Sequence, residues 1–240
     1  MLKLKEAKEF QHAIKAISNF ISEGNFRFND FGLSFRALDQ SQVVLVDFSM
    51  KKELFEKFDL EPTLIGLDLQ ELNKVCRRMQ PNDSLELKLN DSMLLLRIKN
   101  ETEREFSLPL LDLGEEEPKI PTEEFDAIIN IKAKILQEIL KDSILFSSSV
   151  ILSVKEKKFF IEASSAHGSF KSQLKESKNL TIKAKKDLTS KFSLNFLDGI
   201  VREADPNSFI KIELKNDAPM KLTYFIGKSE IKFYLAHMIL

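Results

Sequence analysis

Lys74, Arg77 and Arg78 stand at i, i+3 and i+4 in a segment whose apolar residues, Leu69, Leu72, Cys76 and Met79, recur at intervals of three and four. On a helix that spacing sets three cations side by side, opposite an apolar stripe directed to a core. Such a row holds phosphates through charge and reads no base edges. The pattern recurs. Lys8, His12 and Lys15 share a face of an earlier segment, Lys134 and Lys141 share a face of a later one, and Arg202 stands near Asp198 and Glu203 on a fourth. For any single segment the alternative is an ordinary solvated helix face. Recurrence on equivalent segments favours phosphate contact.

Residues that make and break bonds are not arranged to do so. His12, His167 and His237 are scattered, with no cysteine or carboxylate at ligand spacing. Cys76 falls on an apolar stripe, the place of an inert buried thiol. The seven glycines form no phosphate-cradling cluster, and Ser147, Ser148 and Ser149 read as a turn. No nucleophile–base pair emerges. The expectation is a binding protein, with no enzyme activity, no cofactor and no metal.

The elements that position these residues follow from periodicity. Helices are expected over 7–21, 69–79, 133–142 and 195–204, where apolar residues recur at helical spacing. Between them lie short alternating runs that read as strands: 25–29, 32–38, 42–48, 62–69, 84–89, 93–99, 104–111, 125–131, 150–155, 158–163, 169–174, 188–194, 208–214, 220–226 and 230–235. Short alternating strands without crossover helices imply antiparallel sheets. The stretch 112–122 breaks the rhythm with Gly114, Glu115, Glu116, Glu117, Pro118 and Pro121, and reads as a solvated, extended linker.

The second half repeats the first. Pro81-Asn82-Asp83-Ser84 leads into Leu85-Glu86-Leu87-Lys88-Leu89, as Pro206-Asn207-Ser208 leads into Phe209-Ile210-Lys211-Ile212-Glu213-Leu214. The offset of roughly 125 residues is too long for a solenoid and suits two similar domains in tandem. The expected class is α+β, with domains at 1–111 and 123–240 joined by a connecting loop at 112–122. Duplicated domains of this kind point to a pseudosymmetric ring.

Composition sets bounds. The chain has 240 residues, 43% hydrophobic, enough for a packed core. It contains no apolar run of membrane-spanning length and no signal-peptide core at its start. Its one cysteine, Cys76, suits a reducing cytosol. A formal net charge of −1 is unlike a simple nucleic-acid binder, so a role on DNA requires segregated charge, with acidic residues such as Glu115–Glu117 away from the basic helices.

Four stretches resemble the archaeal and eukaryotic sliding clamps, the proliferating cell nuclear antigen family. They are Gly32-Leu33-Ser34-Phe35-Arg36-Ala37-Leu38-Asp39-Gln40-Ser41-Gln42-Val43-Val44-Leu45-Val46; Leu110-Leu111-Asp112-Leu113 through Ile120-Pro121; Ser190-Lys191-Phe192-Ser193-Leu194-Asn195-Phe196-Leu197; and Ala218-Pro219-Met220-Lys221-Leu222-Thr223-Tyr224 with Phe233-Tyr234-Leu235-Ala236. The resemblance spans essentially the whole chain and implies a DNA clamp fold, three subunits closing head to tail, and helices that face duplex DNA without sequence preference. The implied DNA contacts are Lys8, Lys15, Lys74, Arg77, Arg78, Lys134, Lys141 and Arg202. The implied subunit edges carry Glu103, Glu105, Phe106 and Leu108 on one side, and Phe170, Lys171 and Lys175 on the other. A partner-peptide pocket is implied at Leu38, Gln42, Val43, Leu45, Ile120, Pro121, Phe125, Pro219, Tyr234, Leu235, Ala236 and Ile239. Expected partners are DNA polymerase, a clamp-loading ATPase, flap endonuclease and DNA ligase. The expected location is cytoplasmic, on the nucleoid, or nuclear in a eukaryote.

The chain departs from the family's pattern at Asp39-Gln40-Ser41-Gln42-Val43, at Ala236-His237-Met238-Ile239 and at Pro118. Gln11 and Ser18 stand where eukaryotic relatives are basic. Two other readings remain open: a subunit of a heterotrimeric or checkpoint-type clamp, and a protein-interaction module without a DNA role.

Overall fold

The computed structural model describes residues 1–122 and 124–239. It divides into two units: Met1–Pro118 with the hairpin tip Ile226–Ile231, and Lys119–Phe225 with the remainder from Lys232.

The first unit runs β1 (Leu2–Leu4), α1 (Lys8–Ser18), β2 (Glu23–Asn29), β3 (Gly32–Leu38), β4 (Val44–Lys51), β5 (Lys57–Phe58), β6 (Thr63–Asp68), α2 (Leu69–Cys76), β7 (Ser84–Asn90), β8 (Met93–Lys99) and β9 (Glu103–Pro109). Its strands form two antiparallel sheets, ordered β5-β1-β7-β8-β9 and β4-β3-β2-β6. Phe10, Ala13, Ile14 and Ile17 of α1 and Leu69, Leu72 and Cys76 of α2 are buried with Phe35, Phe48, Leu85 and Leu96 of the sheets. Asp68 caps α2, accepting from the backbone N–H groups of Gln70 (2.8 Å) and Glu71 (2.9 Å).

The second unit repeats this plan: β10 (Ala127–Lys132), α3 (Ala133–Ile144), β11 (Ser149–Lys155), β12 (Lys158–Ser165), β13 (Gly168–Leu174), β14 (Leu180–Ala184), β15 (Leu188–Ser193), α4 (Leu194–Val201), β16 (Phe209–Leu214), β17 (Met220–Ile226), β18 (Ser229–Leu235) and β19 (His237–Met238). Its sheets are β13-β12-β11-β15-β19 and β14-β10-β16-β17-β18. Leu136 and Leu140 of α3 and Leu197 and Ile200 of α4 are fully buried. The α+β architecture of tandem units with paired helices is the one expected.

Several boundaries differ from the sequence reading. The helix expected to reach Met79 ends at Cys76, so Arg77 is its C-cap and Arg78 lies in the turn beyond. The helix expected over 195–204 is Leu194–Val201, with Arg202 as its C-cap. The short strands β5, β14 and β19 went unread, because a strand of two to five residues shows too few alternations to register. The stretch 112–122 is not uniformly solvated. Leu111 bridges Gly66, whose missing Cβ would lie 2.3 Å from the Leu111 carbonyl oxygen. Asn25 donates to Gly114 O (2.6 Å) and Arg27 to Glu115 O (2.7 Å), while Glu117 takes ion pairs from Arg27 (3.3 Å) and Arg36 (2.9 Å). The acidic run is strapped to β2 and β3 by arginines.

Candidate nucleic-acid interface, edge strands and docking residues

All eight cations expected to meet phosphate are exposed. In the first unit Lys8 and Lys15 lie on α1 and Lys74 on α2, with Arg77 and Arg78 in the turn that follows. In the second, Lys134 and Lys141 lie on α3 and Arg202 caps α4. Lys74 pairs with Glu71 (2.5 Å), Lys141 with Glu138 (2.8 Å) and Arg202 with Asp198 (3.4 Å), each on its own helix or its cap. Hydrogen bonds donated to Glu71 and Glu138 raise the pKa of Lys74 and Lys141, so both stay charged. Among the described residues Arg77 and Arg78 make no ion pair; the Arg78 carbonyl accepts from Arg104 and its backbone N–H donates to Val75 O.

Two glutamines, unremarked in the sequence except for Gln11 as an absent base, organise the helix ends. Gln11 Nε2 donates to Cys76 O (2.7 Å) and Met79 O (3.3 Å) at the C-terminus of α2. Gln137 Nε2 donates to Val201 O (3.0 Å) and Ala204 O (3.0 Å) at the C-terminus of α4. Helix C-termini leave carbonyls without helical donors, and each unit supplies a neutral amide from its other helix. The helical pattern pairs them: Gln11 follows Phe10 and precedes Ile14 by three, as Gln137 follows Leu136 and precedes Leu140 by three.

The strands expected at subunit edges are edges: β9 ends one sheet of the first unit, and β13 ends one sheet of the second. Glu103 and Glu105 on β9 are exposed but pair backward to β8, with Arg97 at 3.1 and 2.7 Å, and Glu103 also with Lys99 at 3.6 Å. Lys171 on β13 pairs with Glu162 on β12 (2.5 Å) and lies over the Phe160 ring, whereas exposed Lys175 has no ion pair among the described residues. Phe106, Leu108 and Phe170 are half-buried.

The expected docking residues divide between the units. In the first, Leu38 and Gln42 are exposed, Val43 is half-buried and Leu45 is buried. In the second, Ile120, Pro121, Phe125, Pro219 and Ala236 are half-buried, Ile239 is 90% exposed, and Tyr234 and Leu235 are buried. The Asp39 carboxylate shapes the turn between β3 and β4. It accepts from the backbone N–H groups of Ser41 (3.0 Å), Val43 (2.7 Å) and Val44 (2.6 Å), and from the Ser41 hydroxyl. Burial acts to raise its pKa, but these hydrogen bonds outweigh it and hold the carboxyl below its ordinary range. Gln42 sits at φ 58° in this turn.

Bond-making chemistry has no foothold at Cys76, which is buried and whose thiol burial pushes far up in pKa. Among the described residues no group of His, Cys, Asp and Glu is placed to hold a metal, and no helix is long and apolar enough to cross a membrane.

The family model for the proliferating cell nuclear antigen N-terminal domain matches residues 1–117, and that for its C-terminal domain matches residues 119–239. The chain belongs to the proliferating cell nuclear antigen family. A DNA polymerase sliding clamp of Pyrococcus furiosus is 29% identical over 235 residues, covering 96% of this chain and 94% of that protein. One of Methanococcus vannielii is 31% identical over 240 residues, covering 97% and 96%. A crystal structure of PCNA from Thermococcus kodakaraensis superposes with a TM-score of 0.93 at 26% identity, covering 99% of each chain. The two family domains meet beside Pro118, where the two compact units also divide.

Proposed function

We propose that the chain is a DNA sliding clamp, a processivity factor that encircles duplex DNA and tethers the enzymes working on it. The observation that carries this reading is the full-length match, in sequence to proteins named DNA polymerase sliding clamps and in fold to a PCNA. It acts by binding, with no chemistry of its own. Exposed cations on the helices of both units support sequence-independent phosphate contact, and each contact must stay weak for the ring to slide. Topology then does what affinity does not: a closed ring keeps a tethered polymerase at high effective concentration.

The ring is a homotrimer in this reading, closed by β9 of one copy adding to β13 of the next. Charge supports the pairing. Arg97 and Lys99 stand behind Glu103 and Glu105 at one edge, and Glu162 stands behind Lys171 at the other. Joining the edges continues an alternation of sign across four strands, with Phe106, Leu108 and Phe170 as apolar contacts. DNA polymerase, flap endonuclease, DNA ligase and a clamp-loading ATPase dock short peptides at the residues given by the family resemblance. Leu38, Gln42 and Ile239 are the most exposed of these. The protein works in the cytoplasm on the nucleoid.

Light scattering on a sizing column at micromolar protein tests the assembly. A mass about three times the 27.6 kDa of one chain is expected. A monomer or dimer would instead assign the chain to a clamp built from different subunits. Stimulation of a polymerase on primed circular DNA, in the presence of a clamp loader, tests the function itself; no stimulation by a trimer would overturn it.

A further inference from the structure

We propose that Gln11 and Arg104 are positioning residues that hold Arg77 and Arg78 outward for phosphate contact, a reading that rests on the DNA role above. The α2 helix ends at Cys76, and the N–H groups of Arg77, Arg78 and Met79 close onto Asn73 O, Val75 O and Cys76 O, which leaves the carbonyls of Arg78 and Met79 without a backbone donor among the described residues, at the negative end of the helix dipole. The guanidinium groups of Arg77 and Arg78 belong to the same turn. A guanidinium folded back onto those carbonyls is lost to an incoming phosphate.

The structure fills the carbonyls from the other side. Gln11 Nε2 takes Cys76 O at 2.7 Å and Met79 O at 3.3 Å, and one arm of Arg104 takes Arg78 O at 2.8 Å. The other arm of Arg104 is fixed to Asp83 Oδ2 at 2.6 Å. The Asp83 side chain is fully buried and also receives the backbone N–H of Gln80 at 2.8 Å. The turn from Cys76 to Asp83 is thus held by α1 on one side and by β9 on the other. Arg77 and Arg78 are exposed and, among the described residues, have no carboxylate partner, whereas Lys74, Lys141 and Arg202 each have one. A phosphate approaching Arg77 and Arg78 displaces no carboxylate. The Asp83–Arg104 pair also ties this turn to the edge strand expected to close the ring.

The test is fluorescence anisotropy of a labelled short linear duplex over a series of salt concentrations, with the mass of each variant checked by light scattering. The double variant R77A/R78A sets the scale. It is expected to bind more weakly, with a salt slope smaller by roughly two contacts. Gln11→Met keeps the volume of the side chain but removes the donor. It is expected to weaken binding about threefold to tenfold and to flatten the slope, with the assembly intact. Arg104→Lys keeps the charge beside Asp83 but loses the second arm, and should move binding in the same direction. Neither change should weaken binding further when added to R77A/R78A, because both act through those arginines. Wild-type affinity and slope in Gln11→Met and Arg104→Lys would overturn the proposal, as would an equal loss in the R77A/R78A background. Wild-type binding by R77A/R78A itself would overturn it at a different level, by removing the DNA role of the turn.

Discussion

The side-chain amide of Gln11 donates to the carbonyl of Cys76 at 2.7 Å, closing the end of α2 from α1. Gln137 repeats the contact in the second unit, reaching Val201 and Ala204 at the end of α4. Conserving a two-carbonyl clamp in both units ties the helix pair of each into one body. Gln137→Ala removes the donor to Ala204 O and the second donor to Val201 O, which keeps the Ala204 N–H, and should cost about 1–2 kcal/mol. Urea unfolding followed by circular dichroism measures it, and an unchanged midpoint would show that water replaces the amide without loss.

Asp39 is held below the ordinary carboxylate range in the folded chain. A group depressed on folding contributes stability above its unfolded pKa, and that contribution is lost as pH falls through the folded value. Wild-type protein should therefore lose this contribution as pH drops below about 3.8, the ordinary aspartate value. Asp39→Asn should be less stable by about 1 kcal/mol at neutral pH, with a shallower decline in acid. Chemical denaturation at pH 7 and below pH 4 separates the two, and parallel curves would remove Asp39 from the acid response.

Glu117 takes Arg27 and Arg36 together, and Arg36 also reaches Asp47 at 3.0 Å. The network lies at the surface, so its worth to global stability is under about 1 kcal/mol. Its effect is local. Glu117→Ala should speed amide exchange across residues 113–118 several-fold while the unfolding midpoint barely moves. High salt should do the same to the wild-type protein and little to the variant.

Tyr224 of β17 is buried and donates its hydroxyl to Ile200 O of α4 at 3.1 Å. Burial, and secondarily the Glu203 charge, push its pKa well up, so the phenol keeps its proton at any working pH. Tyr224→Phe should cost about 1 kcal/mol and leave assembly intact. Thermal unfolding with light scattering reads both at once.

Glu105 is bound by Arg97 through two guanidinium nitrogens, the closer at 2.7 Å. Glu105→Lys places two cations side by side on β8 and β9 and, in the proposed ring, presents the wrong sign to the lysine-bearing edge. Assembly should weaken by about tenfold or more. A trimer that dissociates at the same concentration as the wild type would remove this position from the interface.

Much of this was legible in the sequence because it rests on local rules. Helical spacing of Phe10, Ile14 and Ile17, alternation through 93–99, and the breakers at 114–121 each show within a dozen residues. The cations on the helices were legible for the same reason, since a helix fixes which residues share a face. The ends of α2 and α4 were misplaced because helical periodicity carries on through a C-terminal turn that keeps helical backbone angles: Arg77 lies at φ −62° and Arg202 at φ −58°.

By itself the sequence determined two tandem α+β units and exposed cations on their helices. Each is a matter of residue type and near-neighbour spacing. Only the tertiary structure decided which side chain satisfies which carbonyl or charge. Gln11 meets Cys76 across 65 positions, Arg104 meets Asp83 across 21, and Arg36 meets Glu117 across 81. An amide or a guanidinium has many possible partners along a chain, and distance in space selects one. That selection leaves Arg77 and Arg78 exposed, with no carboxylate partner among the described residues, while it ties the acidic loop down.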